Sequence, residues 1–168
     1  MKETIDRNYL EIRSIKALVE CTPPNMGGLL NIVKSDDFQI NKFFYKNVGK
    51  KHRWTDRLIW SDQDWIKYSS DLKVETYILK VKEDLAGYFE LNFHLDLQEI
   101  EIAYFGLLED YHNKKLGGYL LTFAIKKSFE KKNVKRVWLH TCTLDHENAL
   151  KNYIARGMKI FKKESVKI

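Results

Sequence analysis

The sequence lacks most of the features that mark secreted, membrane-bound and metal-binding proteins. Only two of its 168 residues are cysteines, Cys21 and Cys142. Two distant cysteines make no disulfide framework, so we expect a reducing location, the cytoplasm. No apolar run approaches the roughly 18 residues of a membrane helix, and no charged-then-apolar leader is present, so neither a membrane span nor a signal peptide is expected. No Cys-x-x-Cys pair is present, and we expect no metal.

The composition is that of one globular domain, which we place over residues 1–168. Hydrophobic residues make up 44% of the chain and charged residues 31%, which allows a sizeable core. The net charge of +6 favours an anionic partner, either nucleic acid or a phosphorylated cofactor. Because the basic residues are spread along the chain, a mostly solvated surface is the better explanation of the charge.

The stretch Glu99–Phe129 combines a strand, a turn and a helix. Residues 100–107 are apolar at nearly every position, which is typical of a strand buried on both faces. A polar turn follows, and apolar residues then recur at helical spacing around Gly117 and Gly118. This arrangement points free backbone N–H groups and the positive end of a helix dipole at one spot, where a phosphate fits.

This stretch resembles motif A of the GNAT superfamily, the acyl-CoA-dependent N-acetyltransferases. In that motif a strand is followed by Q/R-x-x-G-x-G/A and then by a helix. The second glycine is present as Gly117, whereas His112 stands at the Q/R position and Lys115 at the first glycine. The resemblance implies that acetyl-CoA is the co-substrate and that backbone N–H groups of residues 113–118 bind its pyrophosphate, with added charge from Lys114 and Lys115.

A second feature of the family is N-x-x-A followed by a tyrosine and a glycine, and residues 144–158 are similar to it. The alanine, tyrosine and glycine positions match, which puts Tyr153 where family members often place a general acid for the departing thiolate. His146 stands at the asparagine that often holds the pantetheine arm, and Asn148 lies two places away.

The resemblance thus implies a cofactor site on the buried strand, the glycine loop and the last helix. The pantetheine would pair with the strand backbone, if a splay between strands leaves that backbone free. The implied residues are Phe105, Leu107, His112, Asn113, Lys114, Lys115, Leu116, Gly117, Gly118, His146 and Asn148.

The order of the predicted elements is also that of a GNAT domain. It predicts an α/β (α+β) fold with a mixed, mostly antiparallel central sheet of six to seven strands and helices on both faces. Strands are predicted at 9–13, 74–81, 85–95, 98–107, 135–141 and 158–163, and helices at 26–33, 38–47, 61–68, 116–132 and 145–156.

Glu101 is the one charged residue in the apolar strand. A carboxylate in apolar surroundings has a raised pKa, which suits a general base near neutral pH. Glu101 also falls where histone-acetyltransferase-like members of the superfamily carry a catalytic glutamate. An ion pair with an arginine, or a place at the sheet edge, is the structural explanation that stays open.

Four further residues are candidates for the acceptor site. Trp54 and Arg57 lie in an aromatic and basic connector, where Arg57 would clamp a carboxylate or phosphate and the indole would form a wall. Glu90 would bind a cationic amine, and His140 would be a base or a substrate ligand at a strand end. Packing, a surface ion pair, an outward strand position and a hydrogen-bonded core histidine are the respective alternatives.

We therefore predict transfer of an acetyl group from acetyl-CoA to a small-molecule amine by direct attack in a ternary complex. The alternatives are a non-catalytic acyl-CoA-binding or regulatory module, favoured by Lys115 and His146, and a nucleic-acid-binding domain, suggested by the positive charge and the connector. A cysteine hydrolase built on Cys142, His140 and Asp145 is disfavoured, because a nucleophilic triad usually draws on separated segments. Homodimerisation through the last strands is common in such folds and stays open.

Overall fold

A computed structural model describes residues 2–168 of the chain. Within this range the strands are β1 (Thr4–Ile12), β2 (Leu30–Ser35), β3 (Val74–Val81), β4 (Asp84–His94), β5 (Glu99–Leu107), β6 (Arg136–Cys142) and β7 (Lys159–Lys167). The helices are α1 (Phe38–Gly49), α2 (Asp62–Ser69), α3 (Leu116–Phe129) and α4 (Ala149–Ala155).

The strands form one sheet in the order β2-β3-β4-β5-β6-β1-β7. Neighbouring strands run antiparallel except for β5 and β6, which are parallel. The first strand of the chain therefore lies between β6 and β7. The predicted mixed, mostly antiparallel sheet is confirmed.

Helices pack on both faces of this sheet, as predicted. On one face α3 buries Leu120 and Ile125 completely in the main core. On the other face Phe44 of α1 stacks on Tyr88 of β4, with ring centroids 4.7 Å apart. The α1 and α2 helices contact β5 and β3, respectively. The half of this face that β6, β1 and β7 form is more open, and Phe161 on β7 is 41% exposed.

The parallel strands β5 and β6 separate soon after they meet. Their pairing covers residues 99–101 of β5 and 136–138 of β6 and goes no further. On the opposite side of β5, the register with β4 shifts so that Ala103 is an extra residue, which is a β-bulge. The backbone of β5 beyond this point has no strand partner on the β6 side, so the separation that the sequence analysis required is present.

The helix predicted over residues 26–33 is wrong, because most of this segment is turn and strand. Gly27 and Gly28 have φ values of +64° and +75°, which a helix cannot accommodate. From Leu30 onwards the backbone pairs with β3, with Leu30 opposite Val81. Its apolar residues pack against the sheet core instead of forming a helical stripe.

The last helix begins later than predicted. Asn148 is the N-cap of α4, and Asp145 caps nothing in it. The Asp145 carboxylate instead accepts hydrogen bonds from the Thr141 hydroxyl and the Cys142 N–H, which closes the turn after β6. Because aspartate stabilises such turns as readily as helix ends, its position alone did not fix the start of the helix.

Candidate active site

A cavity of about 840 Å³ opens where β5 and β6 separate. Its walls come from β5, the loop before α3, the connector between α1 and α2, and the loop between β6 and α4. Most of the predicted site residues line it: Trp54, Arg57, Glu101, Phe105, Leu107, His112, Asn113, Lys115, Leu116, Gly117, Gly118, His140, His146 and Asn148. Lys114, Glu90 and Tyr153 do not lie on its walls.

The loop before α3 presents backbone N–H groups to this cavity. Lys115 is the N-cap of α3, but its side chain accepts no capping hydrogen bond, so the first N–H groups of the helix have no partner within the described chain. Asn113 and Lys115 both have φ near +60°. Left-handed residues in such a loop turn successive N–H groups toward a common centre, and the helix dipole adds positive potential there.

The two glycines at the start of α3 have different surroundings. A Cβ at Gly117 would meet only Asn152 Nδ2 at 3.5 Å and Leu107 Cδ1 at 3.9 Å, which are ordinary contacts. A Cβ at Gly118 would meet the Cys21 Sγ at 2.7 Å and would also clash with Arg156. Gly117 therefore leaves space beside the cavity, whereas Gly118 lets the chain around Cys21 pack closely on the helix.

Two histidines lie where the motifs have other residues. The His112 Nε2 donates to the Leu107 carbonyl oxygen at 3.0 Å, and its ring meets His146 edge-on with centroids 4.7 Å apart. Loss of hydration, and then the neighbouring His112, lower the pKa of His146. The rings of His112 and His146 together cover the end of the β5 edge that has no strand partner. Lys114 lies outside the wall, with its ammonium 5.5 Å from the Tyr111 ring centroid.

Tyr153 is buried behind the cavity wall. Its ring meets Phe105 edge-on at 6.1 Å, and Phe105 is the residue of the pair that lines the cavity. Burial, and to a smaller extent the charge of Asp145, raise the pKa of Tyr153. The phenol therefore keeps its proton at neutral pH, but it does not directly face the space between the strands.

Glu101 lies on the cavity wall with 17% of its side chain exposed. Its surroundings are not purely apolar, because the Oε1 lies 3.2 Å from His94 Nε2 at the end of β4. Asn92, which is opposite Glu101 in the sheet register, lies on the cavity wall beside it. The closeness of His94 and Asn92 to Glu101 could not be predicted from the sequence, since only the β4–β5 register brings them to the carboxylate.

Arg57 and Glu90, predicted as separate acceptor ligands, form one buried ion pair. The Arg57 Nη1 lies 3.1 Å from Glu90 Oε2, and the Glu90 side chain is completely buried. Glu90 also accepts hydrogen bonds from Asn41 at 2.9 Å and from Tyr68 at 2.8 Å. Its hydrogen bonds are therefore made within the protein and not to a cavity ligand.

Aromatic rings enclose the Arg57 guanidinium. Its carbon lies 4.0 Å from the Tyr68 centroid, 4.3 Å from that of Tyr104 and 4.7 Å from that of Trp60. Burial is the largest single influence and opposes the charged form, but the charge of Glu90 together with Tyr68 and Tyr104 outweighs burial and raises the pKa of Arg57. We call Arg57, Glu90 and the rings around them the arginine cage. Arg57 reaches the cavity at the edge of this cage.

The remaining acceptor wall comes from the connector and from β6 and β1. Trp54 packs edge-on against Tyr104 at 4.8 Å, and the His52 Nδ1 donates to the Leu144 carbonyl oxygen at 2.8 Å, so the connector spans the cavity. His140 lines the cavity on the other side. Loss of hydration among the surrounding protein atoms, and then the positive charge of Arg7, lower the pKa of His140.

No group of three or more metal-ligating side chains occurs among residues 2–168. No helix in the described part of the chain is long and apolar enough to cross a membrane.

Solved structures with the same fold include two GCN5-related N-acetyltransferases. The one from Sphaerobacter thermophilus is 11% identical, with a TM-score of 0.71, and the alignment covers 99% of this chain and 53% of that one. The one from Kribbella flavida is 13% identical, with a TM-score of 0.68, and the alignment covers 96% of this chain and 56% of that one. The chain thus spans little more than half the length of these two proteins.

An aminoglycoside acetyltransferase from an uncultured soil metagenomic sample also has this fold. It is 12% identical, with a TM-score of 0.65, over 79% of this chain and 90% of that one. A search of curated proteins found no match. The model of the acetyltransferase (GNAT) family matches residues 37–158, which include α1, the connector, α4 and most of the residues that line the cavity. The chain therefore belongs to the acetyltransferase (GNAT) family.

Proposed function

We propose that the protein is an N-acetyltransferase that transfers the acetyl group of acetyl-CoA to the amine of a small molecule. The observation that carries the proposal is convergence on one cavity. The unpartnered N–H groups at the start of α3, the free edge of β5 and the carboxylate of Glu101 all face it. The family supports the reaction class, and the aminoglycoside acetyltransferase of the same fold supports the proposal of a small-molecule acceptor.

The cofactor end of the cavity fits a phosphorylated thioester. The N–H groups of residues 116–118 would bind the pyrophosphate, because they are donors without partners at the positive end of a helix dipole. The β5 backbone from Ala103 to Leu107 would pair with the pantetheine amides, since no strand occupies that edge. When bound, acetyl-CoA would supply an activated acyl carbon.

The chemistry requires a general base, a hydrogen-bond donor for the oxyanion and a proton source for the departing thiolate. Glu101 would take the proton of the acceptor amine as its nitrogen attacks the acyl carbon. Backbone N–H groups of β5 would donate to the carbonyl oxygen as it gains charge. The C–S bond then breaks, and the thiolate takes up a proton. We propose that Tyr153, which burial behind Phe105 holds in its protonated form, supplies this proton through a water in the cavity, because its ring does not line the cavity itself. No metal and no covalent enzyme intermediate is needed.

The acceptor would enter under the connector. Trp54, His140 and the edge of the arginine cage form the wall there, and Asn92 lies next to Glu101. We propose that Arg57 shapes this wall and does not clamp an anion, because Glu90 already neutralises it. Both cysteines are free thiols, which agrees with a reducing cytoplasm as the proposed location.

A non-catalytic acyl-CoA-binding module is the second candidate. It is favoured by His112, whose bond to the Leu107 carbonyl occupies part of the β5 edge. Titration calorimetry with acetyl-CoA, followed by measurement of free-CoA release over a panel of small amines, separates the two. Tight binding with no CoA release from any amine would support the module and contradict the enzyme.

The role of Glu101 is tested by Glu101→Gln, which keeps the size of the side chain and removes its basicity. We expect turnover to fall by about 10²-fold or more, as for loss of a general base, with acetyl-CoA affinity close to that of the wild type. An unchanged rate at saturating acceptor would remove Glu101 from the mechanism.

A further inference from the structure

Glu101 connects the cavity to the open half of the sheet. Its carboxylate lies on the cavity wall, yet its Oε1 is 3.2 Å from the Nε2 of His94, which does not line the cavity. The His94 side chain is 41% exposed, compared with 17% for Glu101. One oxygen of the proposed base is therefore paired with a ring that water can reach.

The His94 ring is held in place by its neighbours. It stacks on Trp138 of β6 with centroids 6.0 Å apart and an interplanar angle of 27°. His94 is the last residue of β4, and Glu99 lies opposite it in the register. Glu99 is itself engaged by Arg136, with both of its oxygens 3.0 Å from guanidinium nitrogens. Glu101 is thus the carboxylate that His94 contacts.

A carboxylate acts as a base only if one oxygen points at the proton that it removes. A donor on the other oxygen fixes that orientation, and the imidazole N–H of His94 is such a donor.

We propose that His94 is a positioning residue that orients Glu101 from outside the cavity. The inference rests on the proposed acetyltransferase function. The other charged or titratable groups around the pair are Glu99 with Arg136 on the open side and His140 with Arg7 across β6. The carboxylates of Glu11 and Glu99 neutralise Arg136. His94 is therefore the group in direct contact with Glu101.

Two substitutions separate orientation of the base from a merely structural role of His94. His94→Leu removes the donor, and we expect kcat to fall by about tenfold with the KM for acetyl-CoA unchanged, as for loss of a hydrogen bond to a charged group. His94→Gln keeps an N–H donor and should restore most of the kcat.

The experiment measures kcat and the KM for acetyl-CoA for the wild type, His94→Leu and His94→Gln. A wild-type kcat in both variants, or an equal loss of kcat in the Leu and Gln variants, would overturn the inference while leaving the acetyltransferase function intact. Absence of CoA release by the wild type with every amine would instead overturn the proposed function and the inference together.

The ¹⁵N chemical shifts of the His94 ring give a readout that does not depend on activity. If the pair exists, Glu101→Gln should change the chemical shift of the His94 Nε2, because the ring N–H loses a charged acceptor. A chemical shift that does not change with Glu101→Gln would contradict the contact itself. A changed Nε2 chemical shift together with normal kcat in His94→Leu would overturn the catalytic part alone.

Discussion

The two ends of the cavity are built from different parts of the chain. At the cofactor end, the groups that face the cavity are mostly main-chain N–H groups at the start of α3 and along β5. At the acceptor end, they are side chains that hold one another in place, above all in the arginine cage.

This difference explains why the cofactor end can carry altered motif residues. Lys115 adopts the left-handed conformation that a glycine adopts more easily, and His112 and His146 meet each other across the cleft. The backbone path is kept, so the N–H groups keep their directions. At the acceptor end no such tolerance is expected, because each member of the cage is a partner of the next.

The largest effect should come from breaking the arginine cage. Glu90→Gln leaves the Arg57 charge buried without its counter-charge, and we expect the free energy of unfolding to fall by about 3 kcal/mol. Urea unfolding followed by circular dichroism measures it. Glu109→Gln, at an exposed pair with Lys51, is the matched control and should leave the midpoint unchanged. Equal midpoints for both variants would show that the cage contributes no stability.

The second effect compares the two glycines of the cofactor end. Gly118→Ala places a Cβ against Cys21 and Arg156, and we expect a loss of about 1–2 kcal/mol in the free energy of unfolding. Gly117→Ala meets only ordinary contacts and should fold like the wild type. A larger loss at Gly117 than at Gly118 would mean that the packing around Cys21 is described wrongly.

The third effect is a gain at the same end. Lys115→Gly relieves a non-glycine residue at φ +60° and should raise the free energy of unfolding by about 1 kcal/mol at most. If main-chain groups dominate cofactor binding, the affinity for CoA should change by less than about threefold, which is under 1 kcal/mol. A larger loss of affinity would show that the Lys115 charge, and not the loop backbone, carries the binding.

The smallest effect is a dependence of stability on pH. His140 and His146 have pKa values below their ordinary value of 6.5 in the folded protein, so the unfolded chain binds protons more readily. Their contribution is complete above pH 6.5 and is lost as the pH falls through the folded pKa values. The urea midpoint should therefore drop less between pH 7.5 and 5.5 in the double variant His140→Asn, His146→Asn. An identical drop would contradict the pKa directions.

The same contrast decides how much could be predicted from the sequence. The strand–loop–helix unit around Gly117 and the capping box of Ser61 and Asp64 depend on neighbouring residues, and the structure contains both. Contacts across the sheet could not be predicted this way. The pairing of His94 with Glu101 depends on the β4–β5 register, and that of Arg57 with Glu90 depends on how the connector packs against β4. No local sequence pattern predicts either contact.

The segment of residues 26–33 before α1, which was wrongly predicted as a helix, shows the same limit of prediction from local sequence. A short apolar run such as residues 30–35 has no length or period that separates a strand from a helix turn. Its pairing with β3 settles the matter, and that pairing is a long-range property. The position of β1 between β6 and β7 likewise follows from the assembled sheet and not from the order of elements.

The most direct test of the account is a titration of the ¹⁵N-labelled protein with CoA, followed through its backbone amide resonances. We predict that the largest chemical-shift changes fall on residues 113–118, with further changes along residues 103–107 and none in α2. Gly117→Glu, which puts bulk and negative charge at the phosphate site, should abolish them. Unchanged amide resonances at residues 113–118 in the presence of bound CoA would contradict the proposal that these N–H groups bind the pyrophosphate.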